Sequence, residues 1–163
     1  MIVCTFAGHR QVFAPDVAQK ARDALERLVE ADRELTFYTG GMGQFDGLCA
    51  EAVRQLRARH PEARIKLYLV LPYLTADVNR SRLYYETAFD DVFVPPELLG
   101  LHYKHAIPRR NRWMVDRAQV LLAYVTRDFG GAYATRKRAP ACASSTSPGH
   151  KDPPRDARPE GVP

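Results

Sequence analysis

The residues best suited to chemistry are the glycines of Gly40-Gly41-Met42-Gly43, which follow an apolar run and lead into a helical pattern. Glycine lets a backbone approach a ligand closely. Free N–H groups at a helix start, together with the helix dipole, favour a phosphate. The GGxG spacing matches neither the dinucleotide fingerprint GxGxxG nor a Walker A loop. The glycines alone therefore favour a phosphate-binding loop and a ligand-free tight turn equally.

Two carboxylates, Asp46 and Glu51, come next in the sequence, in the first two turns of the predicted helix. Either could accept a hydrogen bond from a ribose hydroxyl or act as a base, so both are candidate catalytic residues. Alternatively, each only stabilises the helix N-terminus, by ~0.3–1 kcal/mol. Glu51 lies about 140° around the helix from Asp46, so the two need not face one ligand. The ligand interpretation is favoured for Asp46 and evenly balanced for Glu51.

Gly8-His9-Arg10 places a cation directly after the first predicted strand. An arginine there could hold a phosphate with two parallel hydrogen bonds. The alternative is a solvated surface arginine, the usual environment of that residue. His9 by itself is weak evidence for catalysis, and we expect it to orient or hydrogen-bond a neighbour.

A basic cluster follows Pro108 and consists of Arg109, Arg110, Asn111 and Arg112. The pattern predicts that a helix starts here, where three positive charges would oppose the positive end of the helix dipole unless an anion is bound. We therefore expect Arg110 and Asn111 to bind the ligand. On this interpretation Arg110→Ala would abolish ligand affinity and leave the melting temperature nearly unchanged.

Apolar runs alternate with helical spacings along the chain and predict the elements that position these residues. Strands are predicted over 1–7, 35–39, 65–71, 91–94 and 120–125, and helices over 16–31, 44–59, 80–88 and 109–117. This alternation predicts an α/β fold, a three-layer sandwich with a mainly parallel sheet. Ligands of such sheets bind beyond the carboxyl ends of the strands, which adds Gly130 and Gly131 to the candidate site.

Composition limits the functional class. The chain has 163 residues, of which 45% are hydrophobic and 26% charged, values typical of one globular domain. No apolar run approaches a membrane span, and the start lacks the pattern of a signal peptide. Three cysteines without zinc spacing predict a reduced, cytoplasmic protein. We predict no membrane partner and no metal site formed by side chains, and leave open that a bound phosphate brings Mg²⁺ with it. No organic cofactor is predicted either.

Charge and proline content divide the chain into two parts. The net charge is +5, but much of the basic excess lies after residue 130, and the nearly neutral remainder argues against a dedicated nucleic-acid binder. Half of the 12 prolines lie beyond residue 139, in a stretch that is poor in large apolar residues. We therefore predict a folded domain over 1–138 and a disordered proline-rich tail over 139–163.

Several blocks in this order resemble the YpsA-like branch of the SLOG superfamily, which also contains DprA and the LOG phosphoribohydrolases. The blocks are TFAGHR, GGMGQFDGLCAEAV, IKLYLVLPY, IPRRNRWMVDRAQVLLAYV and GGAYAT, and they span about residues 1–135. The resemblance implies a Rossmann-like fold and a site for a nucleotide or nucleotide-derived ligand. It implies that the pocket includes Gly8, Arg10, Gly40 to Gly43, Asp46, Arg110, Asn111, Gly130 and Gly131.

The chain departs from these relatives in two ways. LOG-type enzymes have a PGGxGTxxE motif with a glutamate that serves N-glycosidic hydrolysis, whereas here AYATRKR follows the glycine pair and supplies no carboxylate. Relatives also continue with a helix and a final strand, so we expect this chain to be truncated or divergent at its end. An uncovered sheet edge would then favour pairing with a second copy.

Three functions are ranked on these grounds. The first is binding or sensing of a nucleotide-like small molecule. The second is a hydrolase or transferase that acts on nucleotides, with Asp46 or Glu51 as its base. The third is single-stranded DNA binding of the DprA kind, in which Tyr103 and Trp113 would stack on bases.

Overall fold

The apolar runs form the strands of a single sheet in a computed structural model that describes residues 1–139. The strands are β1 (Ile2–Gly8), β2 (Glu34–Thr39), β3 (Arg64–Val70), β4 (Asp91–Phe93) and β5 (Val120–Tyr124). They are ordered β4-β3-β2-β1-β5, and every neighbouring pair is parallel. The carboxyl ends of all five strands therefore meet at one edge.

Within residues 1–139, six α-helices connect and cover these strands. They are α1 (Val17–Ala31), α2 (Gln44–Arg59), α3 (Ala76–Arg80), α4 (Arg82–Ala88), α5 (Tyr103–Arg117) and α6 (Gly131–Arg138). Helices α1 and α2 pack together on one face, while α5 and α6 contact β1 from the other. The predicted α/β three-layer architecture is confirmed.

The main hydrophobic core lies between the sheet and the α1–α2 layer. Alternate strand residues point into it, among them Phe6 and Phe37, whose rings stack 6.0 Å apart. Helix α2 contributes Phe45, Val53 and Leu56, each at most 1% exposed, at helical spacings. This packing fixes the start of α2, and with it the glycine loop, against the ends of β1 and β2.

The predicted start of α5 is wrong. The helix begins at Tyr103 rather than Arg109, and His102 caps it by accepting a hydrogen bond from the Lys104 N–H. Pro108 lies inside the helix, where it removes one N–H donor, yet packing of Ala106 and Arg110 keeps the helix continuous. The arginines thus lie beyond the first turn, and the dipole argument for an anion beside them no longer holds.

The segment between β3 and β4 contains one more helix than predicted. The expected helix over 80–88 is α4, and the unpredicted helix α3 precedes it and ends at Arg80, next to Ser81. Helix α3 buries no residue and α4 buries only Ala88, so the segment is held weakly by the core.

On the opposite face of the sheet, α6 covers β5. Ala132 and Tyr133 pack against a small cluster of Ala7, Leu121 and Ala123. The tail predicted from residue 139 onward lies outside the described residues, apart from Ala139 itself. In the described part, no helix combines the length and apolar character that a membrane span requires.

Candidate functional site

A cavity of about 260 Å³ opens beyond the carboxyl end of β1, and we call it the central cavity. Eight of the predicted site residues line it: Gly8, His9, Arg10, Met42, Asp46, Arg110, Asn111 and Gly131. They come from the end of β1 and the loop after it, from the loop after β2, from the first turn of α2, from the middle of α5 and from the start of α6. Stretches of chain that are distant in sequence therefore share one concave surface.

The remaining predicted residues lie elsewhere. Gly40 and Gly41 line a neighbouring cavity, and Gly130 lines a groove between α5 and α6. Gly43 packs against Arg10, since a Cβ at this position would lie 2.9 Å from the Arg10 Cα. Glu51 is on the exposed side of α2, where Arg54 donates two hydrogen bonds to its Oε2 and lowers its pKa. Glu51 is thus separate from the central cavity.

The β1 loop is fastened to the start of α2 by two hydrogen bonds. The Gln44 N–H donates to the Arg10 carbonyl at 2.9 Å, and the Val12 N–H donates to the Gln44 Oε1 at 2.7 Å. Both bonds use groups other than the Arg10 guanidinium. Within residues 1–139 that guanidinium has no hydrogen bond or ion pair, so a cation beside the cavity is available for an anion.

His9 connects the β1 loop to the loop after β5. Its Nε2 accepts a hydrogen bond from the Thr126 N–H at 2.9 Å, and its ring meets Tyr124 edge to face. Partial burial, reinforced by the charge of Arg127, lowers the pKa of His9. A neutral imidazole that accepts at Nε2 is therefore a positioning group here and adds no positive charge.

Arg110 is 2% exposed, and one of its nitrogens is bonded to the backbone. Its Nη1 donates to the carbonyls of Gly40 at 2.6 Å and Val70 at 2.9 Å, which lie at the ends of β2 and β3. Its Nη2 lies 3.2 Å from the Met42 Sδ. The Nε is buried without a partner in the described part of the chain. The predicted ligand-binding arginine thus holds the glycine loop in place, and its charge stays next to the cavity.

Asp46 occupies the first turn of α2 and faces the cavity. Its Oδ2 accepts a hydrogen bond from the Met42 N–H at 3.1 Å, which closes the glycine loop onto the helix. Burial raises the pKa of Asp46 to about 6, although that hydrogen bond and the charge of Arg110 act in the opposite direction. Asp46 can therefore gain or lose a proton near neutral pH.

Two glycines of the site are required by close packing. A Cβ on Gly8 would lie 2.2 Å from the Phe45 ring, so α2 approaches the end of β1 only because Gly8 has no side chain. A Cβ on Gly40 would lie 2.1 Å from the Arg110 Nη1. The glycine loop and the buried Arg110 guanidinium are therefore in direct contact.

Helix α6 contributes a second helix start to the central cavity. Gly130 precedes it with a φ of 91°, and Gly43 precedes α2 with a φ of 112°. Gly131, Ala132 and Thr135 line the cavity from the first turns of α6. The N-termini of α2 and α6 therefore flank the same space, and the positive ends of their dipoles favour a negatively charged ligand.

A larger cavity of about 430 Å³ lies on the other side of the glycine loop, and we call it the aromatic cavity. Sequence reasoning missed it. Its wall carries four aromatic side chains from the segment between β3 and β4, which are Tyr73, Tyr84, Tyr85 and Phe89. The available signal was the group of aromatic residues in a segment with weak helical periodicity. Met42 and Asp46 line both cavities and separate them.

Comparison with known protein families and with curated proteins gave no match to this chain. Among residues 1–139, no group of three or more His, Cys, Asp or Glu side chains is arranged to hold a metal ion. Cys4 and Cys49 are buried free thiols in the main core, and burial raises the pKa of each.

Proposed function

We propose that the protein binds a nucleotide or nucleotide-derived molecule through an anionic group held in the central cavity. The observation that carries this proposal is the convergence of two helix N-termini and the unpaired guanidinium of Arg10 on one cavity. Arg110 adds a buried positive charge to the same wall. Together these groups would offset the free-energy cost of removing a phosphate from water.

Asp46 extends the proposal from an anion to a phosphorylated sugar. A carboxylate at the rim of an anion site opposes binding unless it accepts hydrogen bonds from the same ligand. Ribose hydroxyl groups are donors of the right kind for the Asp46 carboxylate. Asn111, which lines the cavity from α5, supplies an amide for further polar contacts.

The test is calorimetric titration of the folded protein with nucleoside monophosphates. Arg10→Ala should weaken binding by roughly tenfold or more, because the exposed guanidinium would pair with the phosphate. Arg109→Ala is the matched control, since Arg109 is exposed on α5 and lines neither cavity. Absence of binding up to millimolar ligand, or equal effects of the two variants, would refute the proposal.

Hydrolysis or group transfer on the bound nucleotide is the second candidate, favoured by the raised pKa of Asp46 in a cavity. The expected result is release of free base or sugar phosphate from a nucleoside monophosphate, with loss of turnover in Asp46→Asn. If no product forms after prolonged incubation, with or without Mg²⁺, hydrolysis and group transfer are rejected and ligand binding remains as the proposed function.

No comparable observation favours single-stranded DNA binding. Trp113 packs edge to face against Tyr38 and Phe93, and Arg117 lies 4.1 Å above its ring. Arg117 therefore covers one face of the Trp113 ring, and the partly buried ring packs against other aromatic residues of the protein.

A further inference from the structure

We infer that the aromatic cavity binds a planar heteroaromatic ring, namely the base of the nucleotide whose phosphate occupies the central cavity. This inference rests on the proposed function and adds the location and the chemistry of the second half of the ligand. The site would then be bipartite, with Met42 and Asp46 between its two halves.

The first argument is proximity. The two cavities lie on the two sides of the same pair of side chains, Met42 and Asp46, so they are close enough for one small molecule to contact both. Met42 is fixed there by the contact between its Sδ and the Arg110 Nη2. A ligand whose sugar hydroxyls meet Asp46 would have its phosphate on one side of this residue and its base on the other.

The second argument is the shape and chemistry of the walls. Tyr84 and Tyr85 meet edge to face at 5.3 Å, and Tyr85 stacks with Phe89 at 6.3 Å. Tyr84 is 57% exposed, so a large part of its ring is available to a ligand. Gly40 and Gly41 also line this cavity, and neither adds a side chain that would fill it. The exposed Tyr84 ring offers a surface for a flat ligand, since aromatic side chains stack on all bases.

The third argument is charge. Of the charged residues that line this cavity, Arg54 bonds Glu51 at 2.8 Å and Asp77 lies 3.7 Å from Arg80, while Asp46 adds a carboxylate. The aromatic cavity thus attracts an anion less than the central cavity does. Arg54 keeps one donor, its buried Nη1, without an acceptor in residues 1–139, and an acceptor atom of a ring would satisfy it. A neutral ring with hydrogen-bond acceptors suits this environment better than a phosphate.

The experiment compares ribose 5-phosphate with AMP, GMP, CMP and UMP by calorimetric titration. Ribose 5-phosphate reports on the central cavity alone. At least one nucleotide should bind fivefold or more tightly than ribose 5-phosphate, the gain that one stacked base typically provides. Tyr84→Ala should remove this advantage and leave the affinity for ribose 5-phosphate unchanged, and Tyr84→Phe should retain the advantage.

Leu83→Ala is the matched control, because Leu83 is 76% exposed on the same helix and does not line the cavity. Leu83→Ala should bind nucleotides more tightly than ribose 5-phosphate by the same factor as the wild type. The inference is overturned if nucleotides bind no more tightly than ribose 5-phosphate, or if the advantage survives the double variant Tyr73→Ala/Tyr84→Ala. Ribose 5-phosphate binding without a base effect would leave the proposed function intact. If neither ribose 5-phosphate nor any nucleotide binds, both this inference and the proposed function are overturned.

Discussion

At the scale of single residues, Arg110 and Asp46 show how burial changes the role of a charged group. Both lie beside the central cavity, but Arg110 uses its donors on backbone carbonyls, whereas Asp46 uses one oxygen on the Met42 N–H. A buried charge whose partners are removed is strongly destabilising. Arg110 therefore contributes to stability as well as to the proposed ligand site, whereas ionisation of the buried Asp46 opposes folding.

Arg110→Ala should lower the free energy of unfolding by about 3 kcal/mol or more, because the Gly40 and Val70 carbonyls lose their donor and a buried volume is emptied. Thermal and urea denaturation measure this change. Arg109→Ala, on the exposed side of the same helix, should stay within about 0.5 kcal/mol of the wild type. An unchanged melting temperature in Arg110→Ala would restore the sequence-based view of a purely ligand-binding arginine.

Asp46→Asn should stabilise the protein at pH 7.5, by up to about 3 kcal/mol, and have little effect at pH 4. The folded pKa of about 6 lies above the ordinary aspartate pKa of 3.8, so the folded state binds more protons in that interval. Stability of the wild type therefore falls as the pH rises through this window. The amide of Asn still accepts the Met42 N–H but does not ionise.

Urea denaturation of the wild type and of Asp46→Asn from pH 4 to pH 8 tests the direction of this pH dependence. The free energies of unfolding should diverge as the pH rises and become parallel above about pH 7. A difference that does not depend on pH would mean that Asp46 titrates normally in the folded protein.

At the scale of elements, the approach of α2 to the carboxyl end of β1 builds the site. Gly8 allows the Phe45 ring to lie directly on the strand end, and this contact fixes the direction in which the α2 N-terminus points. The same helix contains Gly47, at a position where an added Cβ would meet nothing within 4 Å. The two glycines therefore offer a matched pair of substitutions.

Gly8→Ala should destabilise the protein by roughly 1–3 kcal/mol, because the new methyl group would overlap Phe45. Gly47→Ala should stabilise it by roughly 0.5–1 kcal/mol, because alanine favours a helix and the space is open. Both free energies are measured by urea denaturation. If the two substitutions changed stability in the same direction, the close contact of Gly8 with α2 would be excluded.

At the scale of the whole molecule, stability is distributed unevenly around the proposed site. The parallel sheet and the α1–α2 layer hold the largest buried side chains, such as Phe37, Leu25 and Leu122. The aromatic cavity is walled by α3 and α4, which bury almost nothing. Segments with few buried contacts unfold locally at a low free-energy cost. The wall formed by α3 and α4 is therefore more mobile than the wall formed by the sheet.

Amide hydrogen exchange should therefore be fastest in residues 76–88 and slowest in β1, β2 and β3. Mass spectrometry of peptic fragments resolves these segments. Saturation with a nucleotide that binds should slow exchange in 76–88 if its base occupies the aromatic cavity. Uniform exchange across the described residues would contradict this division.

The sequence by itself determined the α/β class, most strand positions and the three glycine-bearing strand ends. These follow from local periodicity and from the fact that parallel strands place their carboxyl ends at one edge. Residues such as Gly8, Arg10 and Met42 could therefore be grouped before their distances were known.

Only the tertiary structure decided what the charged residues do. Arg110 looked like a ligand contact because local rules placed the start of α5 at Arg109, whereas distant packing lets the helix begin at Tyr103 and continue through Pro108. The aromatic cavity escaped prediction for the same reason. Its walls come from the β2 loop and from the segment between β3 and β4. No local sequence pattern indicates that these two segments line the same cavity.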